Sequence, residues 1–346
     1  MTRAGYREII ASKEADRRDL FLAAANRLGT PLGNVEKDFW VCWTLDQLYH
    51  ERGADQPRLL FKGGTSLSKA HGLIKRFSED IDVTIYRDDL GEAASVEELE
   101  ALSGKKRQAR LDTIRDACSA YITGPLQADL SERLAEATDG AGRIEIDKSD
   151  RDAQTLLVWY PSLEHDEASY IKPAVRIESG AKSALDPNRA AIVTPYVAEE
   201  LPDLDLAVTD VTTIDAERTF WDKIVIAHGL RSWFDHRGVL KNEGQRISRH
   251  YYDLHCLADT TLGREAVTKD ELGADCVRHA RMFFNRPDFD LASAAKGSFH
   301  LVPAKEMREA LRRDYAATEA MIFGKAPAFD EIIVSTEKIE AMVNGR

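Results

Sequence analysis

Apolar positions in the first fifty residues recur at helical spacing. Val35, Phe39, Trp43, Leu45 and Leu48 follow Asn34, a candidate N-cap. "RLLF" (58–61) reads as a short strand. Between Thr65 and Phe77 the residues Leu67, Ala70, Leu73, Ile74 and Phe77 fall three and four apart, which predicts a helix with one face on a core. The period then becomes two: in "SEDIDVTIY" Ile81, Val83 and Ile85 take one strand face, and Asp80, Asp82 and Thr84 the other. Helical periodicity returns over residues 96–136. It is followed by four stretches with strand patterns, "GRIEIDKS", "TLLVWYPSL", "KPAVRIESG" and "RAAIVTPYV". From Asp215, a candidate N-cap, every further segment is helical, including "DAERTFWDKIVIAHGL", "SRHYYDLHCLAD", "DCVRHARMFF", "KEMREALRRDYAATEAMIF" and "FDEIIVSTEKIEAMVN". The plan is α+β, with a sheet in the N-terminal half and helices in the C-terminal half.

A chain of 346 residues suits one large body or two packed domains. No apolar run has the length of a membrane span, and the charged start does not read as a signal peptide, so the expected location is the cytoplasm with no membrane partner. Cys42, Cys118, Cys256 and Cys276 are scattered without zinc-ligand spacing and read as reduced, buried apolar residues. A net charge of −12 argues against coating nucleic acid with the whole surface and leaves room for a local basic groove.

The stretch "KGGTSLSKAHGLIKRFSEDIDVTIY" (62–86) places Gly63 and Gly64 at a strand-to-helix turn, ahead of the acidic strand. Two glycines there let a backbone approach a phosphate closely, with Thr65, Ser66 and Ser68 as further donors, but such a pair also serves as a plain structural turn. Asp80 and Asp82 point the same way, with Cα atoms about 6.5–7 Å apart. Carboxylates so spaced can bracket Mg²⁺ ions about 3.5–4 Å apart. With 59 acidic residues among 346, an acid-x-acid triplet arises about ten times by chance, so the pair alone is unspecific. Its context, a phosphate-type turn followed by a strand with a β-branched opposite face, favours a site.

These residues resemble the signature of the DNA polymerase β-like nucleotidyltransferase superfamily, and within it the AbiEii/AbiGii toxin branch with its abortive-infection and MenT-like toxins. "ERTFWDKI" (217–224), "SRHYYDL" (248–254) and the run from "FFNRPDFDL" to "FDEII" carry the resemblance over nearly the whole chain. It implies a polymerase-β-like mixed sheet with flanking helices, in a nucleotidyltransferase-like domain of residues 1–212 that includes a helical insertion at about 96–136. A helical C-terminal domain would occupy 213–346. It further implies Asp80 and Asp82 as metal ligands, Lys223 as a cation on the nucleotide phosphates, and Asp253 as a further catalytic acid. Lys62, Gly63, Gly64, Thr65 and Ser66 would form the nucleotide-binding turn.

On their own residues, Lys223 falls at a helix edge where a lysine is ordinarily solvated, and Asp253 reads as an outward acid beside core aromatics. Glu178, opposite the core face of its strand, is either a third carboxylate for the metal or half of an Arg176–Glu178 pair. "VEKDFW" also resembles a stretch near the start of that family, which implies that Lys37 and Asp38 border the nucleotide pocket; on their own residues they read as a surface ion pair on an amphipathic helix.

The chemistry implied is transfer of NMP from an NTP, with Mg²⁺ or Mn²⁺, to RNA, most plausibly the tRNA 3′ end, by a toxin held by a cognate antitoxin. Alternatives are a protein or small-molecule acceptor, a non-catalytic nucleotide-binding module and, more remotely, a metal-dependent nuclease. Candidate RNA contacts are Lys105 to Arg110, the group Arg231, Arg237, Lys241, Arg246 and Arg249, and Arg308, Arg312 and Arg313.

Overall fold

The computed structural model describes residues 3–346 apart from 51, 54, 165–171 and 243. The chain divides into two compact units. One comprises Met1–Ala70, Phe77–Ala94 and Ser103–Thr213, and the other His71–Arg76, Ser95–Leu102 and Ile214–Arg346. Among the described residues no helix is long and apolar enough to cross a membrane.

The first unit opens with helices α1 (Ala4–Ala11), α2 (Glu14–Leu28) and α3 (Leu32–Tyr49). Its strands are β1 (Leu59–Lys62), β2 (Asp80–Ile85), β3 (Arg143–Ile146), β4 (Thr155–Trp159), β5 (Ala174–Gly180), β6 (Asn188–Val193) and β7 (Val208–Ile214). They form one sheet in the order β3-β4-β5-β2-β1-β7-β6. β2 runs antiparallel to β1 and parallel to β5, β1 is parallel to β7, and β4 is antiparallel to both β3 and β5. The expected mixed α+β sheet is therefore present. Central β2 is buried at Ile81 and from Val83 to Ile85, and only Asp80 and Asp82 keep partial exposure. The strand thus presents its two carboxylates at its start and is core for the rest of its length.

Helix α3 packs on β2 and β5 and has no solvent face: every residue from Leu32 to Leu48 is buried. Asn34 is not its cap. The helix starts after Pro31, whose fixed φ suits a helix entry, and the Asn34 amide instead donates to Thr30 Oγ1 at 2.7 Å.

The helix expected over 65–77 is also corrected. A helical turn, Gly63–Thr65, continues as a wide π turn, Ser66–Ala70, and ends there; Gly72 is left-handed at φ 63°. Ile74 and Phe77 are buried as their spacing suggested, but from an irregular segment. β7 was not legible because Asp210, with φ 53°, interrupts the alternation and sets buried Val208 and Val211 three apart.

The second unit is helical, with Ala216–Arg237, Ser248–Ala258, Asp270–Phe283, Lys305–Glu319 and Phe329–Val343 as its longer elements. Trp221 anchors it. The indole donates to the carbonyl of Ala266 at 2.8 Å, and its ring lies so close to Gly273 that a Cβ there would come within 2.8 Å. The short helix Val96–Ala101 belongs to this unit, closed by a Ser95/Glu98 capping box and tied by Glu97 and Glu100 to Arg278.

Candidate active site

In the first unit, register brings the acidic residues together. Asp82 lies across from Lys62 on β1 and from Glu178 on β5, while Asp80 lies across from Arg176. Burial pushes the Asp80 carboxyl up, and the neighbouring charges of Glu178, Glu79 and Asp82 add to this, to about 6; Lys37 opposes the shift. Of the two alternatives raised for Glu178, the pair with Arg176 is formed. Its Oε1 is 3.2 Å from Arg176 Nη2, and its charge is the strongest of those acting on Asp80. Arg176 also reaches Asp147 at 2.7 Å.

The glycine turn is built against these acids. Gly63 adopts φ 78°, and a Cβ at this position would sit 2.0 Å from Asp82 Oδ2, so the carboxylate rests directly on bare backbone. The Thr65 hydroxyl donates to the carbonyl of Asp80, and Ser66 Oγ donates to the carbonyl of Gly63 at 2.9 Å. Both hydroxyls are fully buried, and these bonds join the turn to the strand.

In the second unit, Lys223 and Asp253 come together, 30 residues apart in sequence. Lys223 Nζ donates to Asp253 Oδ2 at 2.7 Å. Arg76, which no motif in the sequence marks, completes the cluster with Nε on Oδ1 at 2.8 Å and Nη2 on Oδ2 at 3.0 Å. Neither the solvated lysine nor the outward acid is found, because all three side chains are buried and satisfy one another. Burial works against the Asp253 charge, yet Arg76 and Lys223 hold its carboxyl well below the usual carboxylate range. Burial lowers Lys223, with Asp253 opposing and Arg76 reinforcing the shift.

Residues 46–335 match the model of a family described as "Nucleotidyl transferase AbiEii toxin, Type IV TA system". The chain belongs to the AbiEii family. It is accordingly a nucleotidyltransferase toxin of a type IV toxin–antitoxin system, for which NTP is the substrate and an antitoxin the counterpart. Among solved structures, the nucleotidyltransferase toxin MenT4 from Mycobacterium tuberculosis H37Rv is similar in fold, at 15% identity and a TM-score of 0.50 over 93% of this chain and 89% of that one. No curated protein matches significantly in sequence.

Nucleotidyltransferases in general use a divalent cation, and the donor set of the first unit fits one. Asp80 and Asp82 are partly accessible oxygen donors, and repulsion among Asp80, Asp82, Glu79 and Glu178 is what an added positive charge would relieve. Among the described residues, no three His, Cys, Asp or Glu side chains already converge in ligating geometry.

The surface ion pair expected of Lys37 and Asp38 is not formed. Both are buried on α3, and each bonds elsewhere: Lys37 to Glu79 and Asp38 to Lys69. Of the basic residues suggested as an RNA track, Arg110, Arg231, Arg237, Arg308 and Arg312 each pair with a carboxylate, while Lys105 and Lys106 are exposed.

Proposed function

We propose that this AbiEii toxin transfers NMP from an NTP to RNA, at the tRNA 3′ acceptor end, in the cytoplasm, and that a cognate antitoxin counters the resulting growth arrest. The observation that carries the reading is the contact of the Asp82 carboxylate with the backbone of Gly63, with Lys62 across the strand. It supports a place where a triphosphate held by a glycine turn meets metal-binding acids. Asp80 and Asp82 would hold Mg²⁺ or Mn²⁺, with Glu178 as a third carboxylate. When bound, the cation supplies neutralisation of charge on the phosphates.

Gly63 and Gly64 admit the phosphates to the backbone, Thr65 and Ser66 hold the turn in shape, and Lys62 adds a point charge. The family resemblance supports Lys223, in the second unit, as a phosphate-binding cation. Asp253 fixes the position of Lys223 within this buried cluster. The low-lying carboxyl of Asp253 supports a role in orienting Lys223 rather than in accepting protons. Exposed Lys105 and Lys106 support contact with RNA phosphates.

The test is incubation with labelled NTPs, Mg²⁺ or Mn²⁺ and total RNA. Label is expected in tRNA-sized RNA and is expected to be lost with Asp82→Asn. Label in protein or in a small molecule would overturn the RNA acceptor. Growth inhibition that survives Asp80→Ala would overturn the catalytic reading altogether.

A further inference from the structure

Lys37 and Asp38 are neighbours on α3, 4% and 3% exposed, yet they do not pair with each other. Lys37 Nζ donates to Glu79 Oε2 at 2.7 Å and to the carbonyl of Lys172 at 3.3 Å. Asp38 Oδ1 lies 2.7 Å from Lys69 Nζ, and its Oδ2 accepts from the backbone N–H of Tyr196 at 2.6 Å. Lys69 Nζ is also 3.6 Å from the centroid of the Tyr196 ring, and the Tyr196 hydroxyl bonds to Ser68. Glu79 immediately precedes Asp80, and Lys69 lies in the π turn that continues the glycine turn. One step of a fully buried helix therefore grips both arms of the site, the entry to the acidic strand and the exit from the turn. Residues 46–335 are those that match the family model, so this part of α3 precedes the match.

Buried ion pairs contribute little net stability, because desolvation offsets their attraction. What two such pairs on one rigid helix do provide is orientation of groups that must stay in register. We propose that Lys37 and Asp38 are positioning residues, setting β2 and the nucleotide-binding turn in the geometry for transfer. Lys37 acts through Glu79 on Asp80 and Asp82, and Asp38 acts through Lys69 on the turn from Gly63 to Ser66. This rests on the active-site reading above.

The test is steady-state label transfer by the 346-residue chain. The paired neutral variants Lys37→Met/Glu79→Gln and Asp38→Asn/Lys69→Met remove both charges of each ion pair together. Their folding is checked by near-UV circular dichroism and thermal melts. The first pair is expected to lower kcat at least about tenfold with the KM for NTP changed less than about twofold, and the second to raise KM about tenfold. Each double variant should lose no more than the worse of its singles, as for groups acting as a unit. Lys37→Arg should recover part of kcat.

If the paired variants do not fold, isosteric Asp38→Asn alone, with rates normalised to folded protein, carries the same test through KM. Folded variants with kcat and KM within about twofold of wild type would overturn the positioning role, provided that Asp82→Asn is inactive. If Asp82→Asn retains activity, the active-site reading has failed instead.

Discussion

Gly63 shows what one missing side chain does. Its φ of 78° is costly for other residues, and any Cβ would collide with Asp82 at 2.0 Å. Gly63→Ala is therefore expected to displace the carboxylate and reduce label transfer by at least about a hundredfold, at a stability cost of about 1–3 kcal/mol. Rate assays beside thermal melts separate the two effects; transfer within tenfold of wild type would mean that the contact is dispensable. At this scale the acidic pair could be read in advance, because alternation along a strand puts Asp80 and Asp82 on one side whatever the fold. The roles of Thr65 and Ser66 could not. A hydroxyl beside a glycine pair serves a phosphate or a carbonyl equally well, and the carbonyls of Asp80 and Gly63 are the partners found.

Among the elements, the helix Ser248–Ala258 carries Asp253 into a buried cluster with Lys223 from the helix Ala216–Arg237 and Arg76 from an irregular segment. Removing a buried anion that both Arg76 and Lys223 contact is severe. Asp253→Asn is expected to cost about 3–5 kcal/mol at pH 7. Because the folded carboxyl lies well below its usual range, its stabilisation is present above the unfolded value of about 4 and is lost as pH falls toward the folded one. The gap between variant and wild type in urea denaturation should therefore be full at pH 7 and narrow below about pH 4; a gap constant to pH 2 would contradict the pairing. Element types were mostly legible from periodicity, since the five long C-terminal helices lie where their apolar spacing puts them. The failures have local causes: a π turn and a left-handed glycine end the helix at Ala70, and left-handed Asp210 disguises β7.

Across the whole molecule, the two units are not consecutive halves. His71–Arg76 and Ser95–Leu102 belong with the C-terminal helices, bringing Arg76 to Asp253 and Glu97 and Glu100 to Arg278. A fragment of residues 214–346 lacks all three and is expected to melt at lower temperature and less cooperatively than the same helices in the full chain, as measured by near-UV circular dichroism; equal melting would show that those segments are not needed. Periods of 3.6 and 2, the glycine turn and the Asp-x-Asp pair were readable from the chain because each depends on residues within a few positions of one another. The pairings of Lys37 with Glu79, Asp38 with Lys69 and Arg76 with Asp253 were not. In sequence a charged residue looks the same whether it faces water or a partner 177 positions away, as Arg76 does. Only packing, which removes water and leaves each charge to find its counter-ion, made that choice.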